Sequence, residues 1–533
     1  MAGGSGGAEA GATEVSVLAP LRHRAFALLW LAATAGNIGM WVRDATSGWV
    51  MTGLAPGPVY VALVQAAAML PVFLLSLPAG AIGDIVDRRK MMIAVQLWLG
   101  AVGLAFSGLT AAGLMTAPLL LALTFCAGIG TAMTFPVWQA VISELVPRSE
   151  LRLAIALNGV GINVSRAVGP AIAGAVVATA GAASAYLIDV AAYVFGLAVL
   201  FWWPRQPTVR KHPERFGSAI RAGLRYARRH PPLQRTIVRS MLFLAFASVL
   251  WALLPAVARD QLGTGPAGYG ILLGALGAGA VCGAMVMQRV RRRFGTEPMV
   301  LAGSLVYAAG VGVLALTDVF AVAFASVAVA GAAWVAVLTA MMSGAQAVLP
   351  DWVRARGLAV YRTAYFGAMT GGSILWGVIA QHWSLQIALL VVAGAGTVAA
   401  LIGWLMPLPA GDQHLDAAPA WEPPPALPPT VAGDGRRALV TVEYRVPVER
   451  QPEFLALLEK LAVVRRRDGA VRWGAYVDVA EPEWIVEWFE TPTWEEHLRQ
   501  HQRGTVADAR LQAEVQAFHI GGRPLVSHLV KVA

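Results

Sequence analysis

Five ionisable residues lie inside long apolar runs: Arg43, Asp44, Arg166, Asp189 and Arg362. Charge at bilayer depth is costly, so such residues mark an ion pathway, a substrate site or a self-neutralising pair. A proton carrier must titrate, and burial is what brings a carboxyl group toward the working range. Asp44 is the first candidate for that role and Asp189 the second. A structural Asp–Arg pair is the alternative. Asp44 lies about 20 residues from the nearest basic edge, in the far half of a span at about 1.5 Å per residue. Asp189 enters its own run from the same far side, and Arg166 is half way along another. Arg43 and Asp44 point about 100° apart on a helix. The reading is therefore Asp44 toward a cavity, with Arg43 toward another acidic group or the outer interface. Trp41, Trp49, Trp138, Trp334, Tyr361 and Tyr365 are candidates to line a pocket for a bulky, partly aromatic compound, with packing as the plainer reading. Arg239 and Glu144 sit near span ends, where a charge can reach the interface.

The elements that hold these residues are set by composition. The 533 residues are 57% hydrophobic and 14% charged, against about 25% charged in a soluble domain. Twelve runs approach or exceed the about 20 apolar residues that a bilayer crossing needs: roughly 25–50, 59–82, 91–114, 118–142, 153–178, 183–203, 237–258, 268–288, 298–316, 319–345, 355–380 and 385–406. The intervening loops alternate. Those at 52–58, 112–117, 179–183, 259–267, 317–318 and 381–384 contain Arg259 as their only lysine or arginine, whereas the others all carry them. The positive-inside rule then puts both ends of the membrane domain in the cytoplasm. The net charge of +10 is topological on this reading, and no nucleic-acid partner is expected. Cys126 and Cys282 sit in apolar runs as small hydrophobes. No cleavable signal is expected, and the sequence carries no Walker phosphate loop, so a nucleotide driver is not expected either.

The tightest charged turn is Gly83-Asp84-Ile85-Val86-Asp87-Arg88-Arg89-Lys90, with Gly80 one helical turn earlier. It resembles the signature between the second and third helices of major facilitator superfamily transporters, with the family's second glycine missing. The resemblance implies a cytoplasmic gate in which Asp84 accepts from a helix N-terminus or an arginine of a neighbouring span. A shift of 203 positions places Arg88, Arg89 and Lys90 on Arg291, Arg292 and Arg293, and Gly80 on Gly283. It also places Pro147 on Pro350, Gly169 on Gly372 and Gly174 on Gly377. Two parallel six-helix halves follow. Asp44 falls on Ala247 and Arg166 on Met369, so ion coupling is assigned to the first half. The run Arg166-Ala167-Val168-Gly169-Pro170-Ala171-Ile172-Ala173-Gly174 looks like the glycine-proline signature of proton-coupled drug exporters. Close helix approach and a proline bend are its physical content. With Asn37-Ile38-Gly39-Met40-Trp41 and Leu77-Pro78-Ala79-Gly80, residues 20–407 look most like the bacterial branch of enterobactin exporters and transmembrane secretion effectors.

Composition changes abruptly at Leu408. Glu422-Pro423-Pro424-Pro425 anchors a stiff linker. Strands are expected at 438–446, 471–477, 484–490 and 525–532, and helices at 452–466 and 493–518, with Thr493 as N-cap. This βαββαβ order is ferredoxin-like. It resembles the dimeric α/β-barrel family that includes antibiotic-biosynthesis monooxygenases, for which a pocket from Trp473, Tyr476, Trp488, Trp494, His497 and His501 is the expectation. His497 and His501 are spaced i, i+4, as a metal would need. No third ligand is evident, and a solvated helix face is the expected reading, with no metal and no cofactor.

The expected organisation is a disordered tail at 1–20, a first half at 21–203, a basic loop at 204–235, a second half at 236–407, a linker at 408–436 and a ferredoxin-like domain at 437–533. An amphipathic piece at 216–229 is expected on the inner membrane surface. The expected function is proton-coupled export of a small amphipathic molecule across the plasma (inner) membrane. The candidate partners are the bilayer, the substrate, protons and a second copy through the C-terminal domain. The alternatives are a transporter fused to a cofactor-independent monooxygenase-like enzyme, and a membrane sensor without transport.

Overall fold

The computed structural model describes residues 18–203, 216–409, 416, 418, 436–501 and 503–531, with side chains for all of these except 77, 80–85, 135–136, 216–222 and 351. Most of the expected N-terminal tail, the basic loop up to 215 and most of the proline-rich linker lie outside the described residues. Ala19 and Pro20, the end of the expected tail, are instead buried in a turn of 3-10 helix.

The membrane part consists of α1 (Arg24–Leu54), α2 (Pro58–Ile85), α3 (Arg88–Ala111), α4 (Ala117–Leu145) and α5 (Leu151–Trp202), then α6 (Phe216–Arg229), and then α7 (Pro231–Ala256), α8 (Pro266–Phe294), α9 (Thr296–Leu316), α10 (Phe320–Ala347), α11 (Asp351–His382) and α12 (Leu385–Trp404). Among the described residues, ten helices are long and apolar enough to cross a bilayer. The sequence led to an expectation of twelve. The runs at 153–178 and 183–203 are joined in α5, whose 52 residues change direction at Gly181, where φ is +81°. α11 is not among the ten. Its middle is diluted by Thr370, Gly371, Gly372 and Ser373, as suits a helix packed against α2 and α7 rather than one facing lipid on all sides.

The sequence repeat has a structural counterpart. A side-chain carbon on Gly169 would meet Trp41 of α1, and one on Gly372 would meet the Ala245 carbonyl of α7. A carbon on Gly174 would meet Gly270 of α8, and one on Gly377 would meet Ala62 of α2. Each of α5 and α11 thus lies against the first helix of its own half and against the second helix of the other. The removal of side chains at these positions is what lets the helices approach so closely.

The C-terminal region folds as β1 (Ala438–Arg445), α13 (Gln451–Asp468), β2 (Arg472–Val477), β3 (Trp484–Thr491), α14 (Trp494–His501), α15 (Val506–Gln516) and β4 (Leu525–Val530). The sheet is antiparallel in the order β2-β3-β1-β4. Val440, Val442 and Tyr444 alternate onto its helix face and pack on Phe454, Leu458 and Leu461. The single helix expected over 493–518 is two. Thr493 Oγ1 accepts from Glu496 N and starts α14. Thr505 and Asp508 then form a reciprocal capping box that starts α15.

The apolar side of α6 is covered by protein over its described turn. Tyr226 and Ala227 are buried, and Tyr226 donates to the Val348 carbonyl at 3.0 Å. The C-terminal domain seats on the same place. Arg225 of α6 donates to Glu496 of α14 at 2.7 Å. Arg467 covers the Tyr226 ring at 5.7 Å, and Arg503 covers Trp352 of α11 at 4.7 Å.

Candidate functional site

A cavity of 1480 Å³ lies between the two halves. It runs from Asp44 and Tyr269 at one end to Arg88, Arg354 and Arg356 at the other. At the Asp44 end the halves are in contact. Trp41 of α1 meets Trp251 of α7 at 5.5 Å, and Trp49 stacks on Tyr269 of α8 at 6.1 Å. The glycine contacts of α5 with α8 and of α11 with α2 belong to this end as well.

Arg43 organises the charged centre. Its Nη1 donates to Asp189 Oδ2 at 3.0 Å and to Tyr193 Oη at 3.1 Å. Its Nε and Nη2 both donate to Asp44 Oδ1, at 3.2 and 3.0 Å. One guanidinium therefore bridges two carboxylates, a use its planar fork of donors permits. The carboxylates differ in access: the Asp44 side chain is 29% exposed and lines the cavity, whereas Asp189 is 0% exposed. Tyr193 is a member of this cluster that sequence reasoning missed. It lies four residues after Asp189, on the same helix face.

Arg166 stands apart from that cluster. It lines the cavity with its guanidinium over Trp334 of α10 at 5.0 Å and Trp41 at 5.7 Å, one ring from each half. Trp251, also missed from sequence, joins these rings into one aromatic group. Trp138, Tyr361, Arg362 and Tyr365 line the cavity too. Trp49 does not appear among its walls and is engaged in the stack on Tyr269.

The charged turn lies at the other end. Asp87 caps α3 by accepting from Lys90 N at 2.9 Å. Arg88 pairs with Glu144 of α4. Arg89 donates to the carbonyls of Leu200 and Phe201 at the end of α5, each at 2.9 Å. Gly80, Gly83 and Asp84 fall in the last turns of α2, and their side chains lie outside those described, as does the expected Asp84 latch.

The pocket expected in the C-terminal domain is not assembled. Trp473 faces the helices and donates to Glu487 at 3.0 Å. Tyr476 and Trp488 stack on the opposite face of the sheet, ring centres 6.4 Å apart. Trp494, His497 and His501 cluster at α14 and β4. The interior is filled by a polar network centred on Glu487, which accepts from Arg465 at 3.0 Å and Tyr444 at 3.2 Å as well. His497 is 1% exposed, so the helix face it occupies is not solvated as expected. Burial, together with His501 and His528, brings its pKa down to about 3. Burial lowers His528 as well.

The family model of transmembrane secretion effectors matches residues 15–533, the C-terminal domain included. The Staphyloferrin A transporter of Staphylococcus aureus is 23% identical over 274 residues, covering 51% of this chain and 68% of that protein. The Enterobactin exporter EntS of Shigella flexneri is 24% identical over 266 residues, covering 49% and 62%. The chain thus spans about three-fifths to two-thirds of the curated relatives it matches. Two inward-facing structures share the fold. A bacterial homologue of the lysosomal transporter Spinster has a TM-score of 0.58 at 14% identity, covering 73% of this chain and 97% of that one. A bacterial homologue of the iron transporter ferroportin has a TM-score of 0.55 at 15% identity, covering 72% and 98%. The chain belongs to the transmembrane secretion effector family and is a membrane transporter of the major facilitator superfamily.

Proposed function

We propose that the protein is a proton-coupled exporter of small amphipathic molecules that works by alternating access. The observation that carries this reading is the exposure of the Asp44 carboxylate to the cavity while Arg43 ties it to the enclosed Asp189. Protonation of Asp44 from the cavity would release one arm of Arg43 and change the balance between α1 and α5. That is the differential interaction that a two-state transporter requires. Twelve spans follow if α5 is counted as two crossings and α11 is added to the other nine of the ten. With the basic turns in the cytoplasm, both chain ends lie inside and the cavity faces inward, as in the two inward-facing structures. The relatives' names favour iron-chelating cargo. The C-terminal domain, ferredoxin-like in strand order, serves this transporter as a docked accessory, with its outer sheet face (Tyr476, Leu525, Leu529) as the surface for a homodimer.

The test uses inverted membrane vesicles with an imposed proton gradient and a panel of siderophores, macrolides, dyes and aromatic polyketides. At least one compound should dissipate the gradient with the wild type, and Asp44→Asn should abolish this at equal protein level. Dissipation that survives Asp44→Asn would remove Asp44 as the carrier.

A further inference from the structure

The C-terminal domain gathers three histidines that the sequence scatters. His497 and His501 stand one turn apart on α14, and His528 comes from the edge strand β4. Their ring centres are 4.8 Å (His497 and His501), 5.1 Å (His497 and His528) and 6.5 Å (His501 and His528) apart. One nitrogen of each lies within 4.8 Å of the others. We propose that His497, His501 and His528 form a three-nitrogen site for a divalent first-row transition ion of the zinc or cobalt type.

Geometry supports the site at two levels. Ligands about 2.05 Å from a tetrahedral ion stand about 3.3–3.4 Å from each other, and the Nε2 atoms of His497 and His501 are 3.3 Å apart. The ion sits over that edge, and His528 closes the face by moving its ligand nitrogen up to about 1.5 Å nearer, from the 4.8 Å limit of the group to the separation a tetrahedral ion sets, which its partly exposed place on an edge strand allows. Behind His497, the Gln500 side-chain oxygen faces Nδ1 at 3.4 Å, and Gln500 is itself held by donating to the Arg465 carbonyl at 3.4 Å. An acceptor at Nδ1 puts the proton there and turns the Nε2 lone pair toward the shared point, the usual outer-shell device of a metal-binding histidine. Trp494 and Phe489 pack against the His497 ring and supply an apolar surround. Three imidazoles with no carboxylate among them select zinc, cobalt, nickel or copper over magnesium or calcium. The fourth position stays open to water or to a donor from another molecule. Loading would fasten α14, which carries Glu496, to the sheet, and so stiffen the helix that Arg225 holds.

The experiment titrates Co2+ into the chelator-treated full chain in detergent, purified without a polyhistidine tag, and follows the visible ligand-field bands. One equivalent should bind with the spectrum of a tetrahedral site and be displaced by Zn2+. His528→Gln and His501→Gln should each weaken binding by more than the about 10–100-fold of an outer-shell change, and Gln500→Leu by about tenfold. Because His528 is half exposed, His528→Gln should leave the fold intact, as circular dichroism would verify. Zn2+ should also raise the temperature at which the C-terminal domain melts within the wild-type full chain, but not within the His528→Gln full chain. Absence of a tetrahedral cobalt spectrum, or binding that is undiminished in His528→Gln, overturns the proposal and leaves a hydrogen-bonded histidine cluster.

Discussion

Arg43 of α1 and Asp189 of α5 meet at 3.0 Å with neither side chain more than 4% exposed. Removing one partner of a buried pair leaves an uncompensated charge, at a cost of about 3–5 kcal/mol. Arg43→Ala and Asp189→Ala should therefore each lower the melting temperature in detergent and reduce the yield of folded protein. The double variant Arg43→Met with Asp189→Leu should recover most of the loss, yet remain inactive because Asp44 has lost its partner. Thermal melting of the four proteins checks this. Single variants as stable as the wild type would show that the pair contributes nothing.

Arg166 has aromatic rings from both halves over its guanidinium, and its Nε has no hydrogen-bond partner among the described residues. A charge-assisted hydrogen bond to a ligand anion contributes about 1.5–3 kcal/mol. Arg166→Gln should therefore weaken the apparent affinity for anionic compounds about tenfold or more, while neutral compounds change less than about twofold. Arg166→Lys keeps the charge but not the planar stacking and should fall between. Concentration curves of gradient dissipation for paired anionic and neutral compounds would decide it. Equal losses for both classes would make Arg166 a packing residue.

The deep charges and the glycines were legible in sequence because hydrocarbon penalises the first and helix approach requires the second. Which charge meets which was not. Asp44 follows Arg43 directly, and helix geometry argues against a shared partner. Yet the long arginine side chain reaches back to Asp44 Oδ1 with two of its nitrogens while a third reaches Asp189. The α6 piece was legible as amphipathic, but its covering was not. The apolar side of its last turn is taken by Trp352 of α11, the end of α10 and the C-terminal domain, contacts between segments far apart in sequence. His528 stayed hidden for the same reason. Strand β4 is placed beside α14 only by its pairing with β1.

His230 gives the docked domain a pH dependence. Its Nδ1 accepts from Leu233 N at 3.3 Å as the cap of α7, and its ring stacks on Tyr226 beneath Arg467. Burial first and Arg467 second lower its pKa from 6.5 to about 4. Below pH 6.5 the open state takes up a proton that the seated state refuses. The contribution is therefore complete above about 6.5 and is lost as the pH falls toward 4, by up to about 1.4 kcal/mol per unit. Glu496 stays charged in that window: burial pushes its carboxyl up, but Arg503 and Arg225 outweigh this and hold it below the usual value. Protection factors for hydrogen exchange at Tyr226 and Ala227, with the intrinsic pH dependence of the amides divided out, should fall between pH 6.5 and 4.5. In His230→Asn, which keeps a capping acceptor without the titration, the profile should be flat. The same fall in protection in both proteins would assign it to another group.

The closed end of the cavity depends on the absence of two side chains. A carbon on Gly174 would stand 2.7 Å from the Pro266 carbonyl and 2.9 Å from Gly270 Cα. One on Gly270 would stand 2.7 Å from the Pro170 carbonyl and 2.8 Å from Gly174 Cα. The colliding atoms are backbone, so neither helix can yield by a rotamer change. Overpacking of this kind costs about 1–3 kcal/mol. Here it is charged only to the conformation in which α5 and α8 touch. Gly174→Ala should therefore shift the population by about tenfold toward the state open at the Asp44 end, at 1.4 kcal/mol per factor of ten. Spin labels at Thr179 of α5 and Thr264 before α8 would read the change as a longer distance. Transport should fall while folding persists, because the penalised state is one of the two that the cycle needs. An unchanged distance distribution with normal transport would mean that the contact yields elsewhere and does not set the balance between states.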